Sequence, residues 1–315
     1  MGKLLKDCLF ILFIVAILFF LSDQPSFSRT LKFVQLSDIH YSLVKDDTSY
    51  KLLSKTRPLL EDAINQINKE NNIDFVMITG DGIDKPDKSS VESLFDTLNK
   101  LNYPWYYVIG NHDTTTDGYL NKTNIVKILK EKNPNYIFDS TYYTFKPQKG
   151  IRVIVMDGAK NKGISSHGII PSSQLCWLDE ILDKSKKDVV LIFIHFPLLP
   201  PFESKNHEIL NAGEFKAVLN KYEMPIAVFA GHYHAAKIIK RGNILHVSSP
   251  SLFGYPNAFR IIEIDNRRKQ VVFNFRFMET NLKDLQSKTK ILTLGGAKYY
   301  GKPSDRETTI IMDKR

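Results

Sequence analysis

The sequence predicts an α/β domain with buried central strands and helices outside. Three observations predict it. Strand-like and helix-like segments alternate along most of the chain. One run, Val189–Ile194 (VVLIFI), is continuously apolar, as a strand covered on both faces must be. Asp, Asn and His residues also gather directly after strand-like segments, at the strand ends where α/β sheets collect their ligands.

The elements follow in order. Leu31–Leu36 (LKFVQL) reads as a strand. Lys51–Asn71 is helical, with Leu59, Leu60, Ala63, Ile64 and Ile67 on one face. Ile73–Ile78 is a strand, Val91–Leu101 a helix, Trp105–Ile109 a strand and Asn124–Glu131 a helix. Thr141–Phe145 and Ile151–Met156 form a hairpin-like pair. Ser172–Lys184 is a helix, because Leu175, Leu178, Ile181 and Leu182 recur at helical spacing. The buried strand follows, then a helix at Glu208–Lys221 and a strand at Ile226–Phe229. Lys237–Ile239, Ile244–Val247, Arg260–Ile264 and Val271–Arg276 are short strands between turns, so an antiparallel run closes the domain.

Composition bounds the class. The chain has 315 residues, 43% hydrophobic and 24% charged, which excludes a disordered, collagen-like or multi-pass membrane protein. The net charge of +9 comes from scattered lysines. From Asn281 to Arg315 there are eight Lys/Arg against four Asp/Glu, so four of the nine surplus charges sit in that tail. No tract is dense enough for nucleic acid. The two cysteines, Cys8 and Cys176, exclude a CxxC metal or redox site.

The N-terminus reads as an address. Lys3 and Lys6 precede 14 apolar residues, Cys8–Leu21. That is shorter than the roughly 20 residues that span a bilayer as a relaxed helix. A cleaved secretory signal is the first reading, with Ser26 and Ser28 at the spacing for cleavage before Arg29. An uncleaved anchor is the second, since Leu4 and Leu5 lengthen the span. Three regions are expected: 1–28 as signal or anchor, 29–278 as the main domain, and 279–315 as a polar, poorly packed extension with a strand near Thr308–Met312. The protein is expected to be secreted or extracytoplasmic, held at the membrane if the segment is kept.

Five strand ends carry the chemistry. They read Asp38-Ile39-His40, Gly80-Asp81-Gly82-Ile83-Asp84, Gly110-Asn111-His112-Asp113, His195, and Gly231-His232-Tyr233-His234. Glycine opens three of them, where the backbone must turn sharply. Carboxylates, imidazoles and an amide oxygen, without thiolates, suit a pair of divalent or trivalent ions. Two ions roughly 3.5–4 Å apart would clamp a phosphate. Each motif alone is weak. Their joint occurrence, in this order and each at a strand end, points to a two-metal centre.

This set resembles the calcineurin-like metallophosphoesterases, whose pattern is DxH, GDxxD, GNH[DE], a lone His and GHxH. Every block is present from residue 38 to 234. Gln174-Leu175-Cys176-Trp177-Leu178 resembles the QxxWL helix of the branch containing class III cyclic-nucleotide phosphodiesterases. One departure is Gly82, where an aliphatic residue is more usual; a local packing change is expected there. The resemblance implies a four-layer sandwich, two mixed β-sheets flanked by helices. It implies that Asp38, His40 and His234 hold one metal, that Asp81 bridges, and that Asn111, His195 and His232 hold the other. His112 would face the substrate phosphate and protonate the leaving oxygen. Asp113 would orient His112, and Asp84 would support its loop. The ions would be Fe, Mn or Zn.

Other residues draw blander readings. His207 is expected to face solvent, His167 to sit on an exposed loop and His246 to be structural. Tyr41 and Tyr233 could stack on a base, and Leu198–Phe202 forms a rigid loop or specificity lip beside the metals.

The expected function is hydrolysis of a phosphodiester by in-line attack of a metal-bridging hydroxide. Alternatives are a phosphomonoesterase, a lipid or nucleotide-sugar pyrophosphatase of the same fold, or a non-catalytic membrane-tethered scaffold. The complete ligand set argues against the scaffold.

Overall fold

The computed structural model describes residues 30–314 except 45–46, 50, 115–119, 161–164, 205 and 295. The segment expected as signal or anchor lies outside the described residues. Among the described residues, no helix is long and apolar enough to cross a membrane.

Two six-stranded mixed sheets form the centre. The strands are β1 (Leu31–Leu36), β2 (Phe75–Thr79), β3 (Trp105–Val108), β4 (Tyr143–Gln148), β5 (Ile151–Val155), β6 (Val189–Phe193), β7 (Ile226–Ala230), β8 (Lys237–Arg241), β9 (Ile244–Ser248), β10 (Ala258–Asn266), β11 (Gln270–Glu279) and β12 (Thr308–Asp313). The first sheet runs β12-β11-β10-β1-β2-β3 and the second β4-β5-β6-β7-β9-β8. β1, β2 and β3 are parallel, as are β5, β6, β7 and β9. Parallel neighbours need crossovers, and helices supply most of them. These are α1 (Thr56–Ile67) and α2 (Lys88–Leu98) in the first sheet, and α4 (Ser172–Asp183) and α5 (Ala212–Leu219) in the second. α3 (Lys122–Lys132) leads from β3 to the second sheet; Asn121 caps it by accepting the Asn124 N–H.

Aromatic rings lock the sheets face to face. Phe33 of β1 stacks on Phe75 of β2 at 5.0 Å and meets Phe193 of β6 and Phe229 of β7 edge-on at 5.5 and 5.3 Å. Such pairs contribute roughly 0.5–1.5 kcal/mol each beyond area burial. This contact sets the strand ends of the two sheets side by side, which positions the site. Gln174 ties α4 to the end of β5. Its Oε1 accepts the Asp157 N–H at 2.8 Å, and its Nε2 donates to the Asp157 carbonyl at 3.0 Å.

Two expectations need correction. The last four strands do not form one antiparallel run. β8 and β9 make a hairpin, but β9 pairs parallel with β7 in the second sheet, whereas β10 and β11 cross to the first sheet beside β1. Local turn patterns mark hairpins but do not say which sheet edge receives them. The C-terminal residues do not trail away but dock on the domain, although few of their side chains are buried, and they contain the strand expected near Thr308–Met312. β12 pairs antiparallel with β11, Met312 is buried, and α6 (Lys283–Leu292), α7 (Ala297–Tyr300) and α8 (Pro303–Arg306) precede it. Polar composition concealed this because the segment docks through backbone hydrogen bonds and a buried Asp305.

Candidate metal centre

The loops after β1, β2, β3, β6 and β7 converge on one edge. Their side chains form three close groups: Asp38 with His40 and His234, Asp81 with His195 and His232, and a third, His40 with Asp84 and His112, that shares His40 with the first. In each, one ligand atom per residue lies within 4.8 Å of the others. Asn111 joins the second group, its Oδ1 3.1 Å from His195 Nε2. Asp81 Oδ2 lies 3.2 Å from His195 Nε2 and 3.6 Å from His40 Nε2, so it faces the first two groups. All seven residues expected as ligands are thus brought together.

The backbone is strained to achieve this. Seven described non-glycine residues have positive φ, and five of them are Asp38, His40, Asp81, His232 and His234. Such conformations persist only where surroundings over-determine them. Hydrogen bonds between the loops, within the first sheet and across to the second, do this here. The Asp38 N–H donates to the Gly80 carbonyl at 3.1 Å, and the His40 N–H to the Asp81 carbonyl at 2.9 Å. The His232 N–H donates to the Asp38 carboxylate at 3.1 Å. Gly231 permits that approach, since a Cβ there would lie 1.9 Å from Ser37 Oγ and 2.6 Å from Asp38 Oδ2. Gly82 has its reason too: a Cβ would meet the Tyr107 hydroxyl at 2.0 Å. That hydroxyl fills the space and donates to Asp113 Oδ1 at 2.8 Å.

The protonation states suit cations. Burial works to raise the Asp38 carboxyl, but His234 and His195 hold it below the usual range. Asp81 is held well below it, by His195 and His112 against burial. Burial pushes His40 down to about 4 and keeps His232 well below the ordinary imidazole value. Burial also opposes charge on His195, yet Asp81 and Asp38 raise it to about 9. Ionised carboxylates with neutral imidazoles are the ligating forms, so Asp38, Asp81, His40 and His232 stand ready, whereas His195 must release its proton as an ion binds. A direct test of fit is His40 Nε2. It is buried, has no hydrogen-bond partner among the described residues and faces Asp81. A bound ion would satisfy it, so the residues fit a two-metal pair.

Outer contacts aim the rings. His40 Nδ1 lies 3.3 Å from Asp84 Oδ1, and Lys51 Nζ donates to the same oxygen at 2.6 Å. This carboxylate–histidine pair fixes the ring and leaves Nε2 for metal. His195 Nδ1 donates to the Thr79 carbonyl at 2.9 Å. His232 Nε2 donates to the Ser166 carbonyl at 2.8 Å, which leaves Nδ1 as its ligand atom. His112 lies beside the cluster, its ring centroid 4.6 Å from that of His40. Its Nδ1 donates to the Asp84 carbonyl at 2.8 Å, leaving Nε2 free to meet substrate.

Asp113 does not orient His112, contrary to expectation. It is fully buried, and its oxygens accept the N–H groups of Gly110, Asp81 and Ile83 at 2.7, 3.0 and 3.2 Å. Burial, with Asp81 adding to it, raises its carboxyl to about 6. It braces the loops, while the Asp84 main chain orients His112. His207 is half-buried rather than simply solvent-facing; its ring packs 5.2 Å from His232 and 5.5 Å from Tyr233. Tyr41 is buried, with its hydroxyl 2.8 Å from Ser93 Oγ, and is no stacking platform. His246 is buried as expected, but its Nδ1 lacks a hydrogen-bond partner among the described residues. Sequence reasoning missed Lys51, Ser166 and Phe253, which lies 4.3 Å from His40 and 5.2 Å from His234. No residue motif marks them; only tertiary proximity does.

The family model for calcineurin-like phosphoesterases matches residues 31–236. The chain belongs to the calcineurin-like phosphoesterase family. It is a metal-dependent hydrolase of phosphoric esters. This phosphoesterase is 25% identical over 263 residues to a manganese-dependent ADP-ribose/CDP-alcohol diphosphatase of Oryza sativa subsp. japonica, covering 68% of this chain and 79% of the relative. It is 26% identical over 213 residues to a 3',5'-cyclic adenosine monophosphate phosphodiesterase of Haemophilus influenzae, covering 65% and 70%. Among solved structures, a dimetal phosphatase of Danio rerio superposes with a TM-score of 0.61 at 18% identity, covering 80% of this chain and 99% of that one. At that identity the likeness concerns the fold.

Proposed function

We propose that this phosphoesterase is a phosphodiesterase in which Asp38, His40 and His234 hold one ion, Asn111, His195 and His232 the other, and Asp81 bridges them. The observation that carries this is the position of Asp81 between the two ligand groups, with Oδ2 facing His40 and His195. Bound there, the two ions would polarise the ester and activate the attacking water. Asp81 Oδ1 accepts the His112 N–H at 2.8 Å, so the bridging carboxylate also places the catalytic histidine. The Asp84 carbonyl holds the His112 ring by Nδ1. Its Nε2 would then face the leaving oxygen as general acid, a contribution typically worth about 10²–10⁴-fold. His234 is about one-third exposed, so the cluster opens to solvent and substrate on that side.

A cavity of about 790 Å³ lies by Thr114, two residues after His112, and is also lined by Lys122, Thr141, Asp157 and Lys160. That is room for a nucleotide-sized group. Lys122 pairs with Asp157 at 2.7 Å, so it is the size of this cavity that favours a second reading, cleavage of a nucleotide-linked diphosphate, which accords with the name of the rice relative. Manganese is the expected metal on the same ground. We place the enzyme outside the cytoplasm, directed there by Cys8–Leu21; N-terminal sequencing of the protein from membrane and soluble fractions tests this, and a cytoplasmic chain beginning at Met1 overturns it.

The test of function is metal content followed by hydrolysis of bis-aryl phosphate, mono-aryl phosphate and a nucleoside diphosphate ester with added Mn²⁺. Diester turnover supports the first reading and preferred diphosphate cleavage the second. Monoester preference overturns both.

A further inference from the structure

The family model ends at residue 236, inside the loop that follows His234. A segment some 60 residues further along folds back onto that loop. The Tyr299 carbonyl accepts the Ala236 N–H at 2.9 Å. Asp305 is buried; its Oδ1 accepts the Ile238 N–H at 3.2 Å and its Oδ2 the Lys302 N–H at 3.0 Å. Lys237 Nζ lies 3.3 Å from Oδ2. The Asp305 carbonyl accepts from Arg260 Nη2 at 2.8 Å, and the same nitrogen donates to the Ser248 carbonyl of β9 at 3.0 Å. Gly301, at φ +71, lets the chain pass; a Cβ there would lie 2.4 Å from the Ala236 carbonyl oxygen. Further out, the Tyr299 ring packs 5.9 Å from Phe202, which packs 5.2 Å from Tyr233.

This matters for His234. Its φ is +55, a conformation costing about 1–2 kcal/mol for an L-residue. His232, strained likewise, is held by its N–H to Asp38 and by its ring to Ser166. His234 is more exposed, and its charged contact is with Asp38 at 3.3 Å. On its far side the backbone is held along one edge by β9, through the pairing of Lys237 and Ile238 with Ser248 and Val247, and along the other by the hydrogen bonds at Ala236 and Ile238 from Tyr299 and Asp305.

We propose that Asp305 is a positioning residue for metal binding: through the clamp at 299–305 it holds residues 234–238 so that His234 stays aimed at Asp38 and His40. This rests on the reading of those three residues as one metal group. The consequence is that affinity for one ion depends on a residue outside the family's common region, while affinity for the other does not.

The experiment uses the full chain, the Asp305→Ala variant and Mn²⁺ titration followed by calorimetry and electron paramagnetic resonance. His234→Ala identifies which binding step belongs to the Asp38 group. In Asp305→Ala that step is expected to weaken about 10-fold or more, the range seen when outer contacts of ligands are removed. The other step stays. Amide exchange at 234–238 quickens in the metal-free protein, and excess Mn²⁺ restores turnover. Asp305→Asn, which keeps an oxygen for the Ile238 N–H, recovers most of the affinity. Met312→Ala is the control, since it loosens buried β12 without touching the loop. It should lower thermal stability and leave both steps alone. Should Asp305→Ala not fold, Gly301→Ala serves instead, because its Cβ presses on the Ala236 carbonyl. Unchanged affinities in Asp305→Ala, or equal weakening in Met312→Ala, overturn the clamp. A parent protein that binds no pair of ions overturns the site reading instead.

Discussion

After β1, β2 and β3 the site receives Asp38, His40, Asp81, Asn111 and His112; after β6 and β7 it receives only His195, His232 and His234. The two groups are held differently. On the first sheet, Asp113 gathers the amides of Gly110, Asp81 and Ile83, and Asp84 fixes both His40 and His112. These braces lie inside the motifs themselves. On the second sheet, His195 leans on Thr79, His232 on Asp38 and Ser166, and the loop after His234 on Tyr299 and Asp305. Those braces come from elsewhere in the chain. The first half of the site is braced mostly from within its own motifs, with Lys51 on Asp84 and residues 251–253 on the Asp38 loop added from outside, and the second half is assembled by the fold.

The largest effect that would sharpen this contrast is at Asp81, which faces both ligand groups. Asp81→Ala is expected to lose about 10³-fold or more in kcat together with paired metal binding, read by metal analysis and turnover. A variant that keeps two coupled ions would remove Asp81 from the bridge. Next comes His112→Ala. A loss of about 10²–10⁴-fold in kcat with both ions retained is expected; an unchanged rate would strip His112 of its role. Gly231→Ala forces a Cβ against Ser37 Oγ and Asp38 at the seam between the sheets. It should cost about 1–3 kcal/mol in denaturant unfolding and weaken metal binding as well. Stability lost with metal affinity intact would show that the seam and the site are separable.

The smallest effect is a control at the opposite end of the first sheet. Glu70 accepts from Arg276 and Lys32, and these contacts, opposed by burial, hold its carboxyl near about 2. A depressed carboxylate contributes stability above its unfolded value near 4.5 and loses it as pH falls toward 2. Glu70→Gln should therefore cost about 1–2 kcal/mol at pH 7, allowing for the exposure of Arg276. The difference from the parent should shrink between pH 4.5 and 2 in thermal melts, with metal affinity unmoved. A gap that persists at pH 2 would mean packing, not charge, is at work.

Much of the fold was legible because buried parallel strands are nearly all apolar. β1 matches its sequence reading at Leu31–Leu36, and β6 differs by one residue. The α1 reading was too long, since the turn Leu53–Lys55 and the residues before it share the apolar spacing without the helix. The sheet assignment of β8 to β11 was not legible, as a hairpin's sequence does not encode its docking edge. Asp113 was misread because a motif gives order along the chain, whereas its carboxylate reaches amides on two loops.

The residue types at five strand ends pointed by themselves to two ions, because that donor set suits paired cations, and their order along the chain, through the family resemblance, added the phosphoester. They also determined most strands and helices through apolar periodicity. Only the tertiary structure decided how the donors are aimed. The left-handed turns at His232 and His234 are costly on their own and survive through hydrogen bonds from Asp38, Ser166, Tyr299 and Asp305. Those partners are far away in sequence, and the tail that carries Tyr299 and Asp305 looked like any exposed polar segment until the burial of Asp305 gave it a purpose.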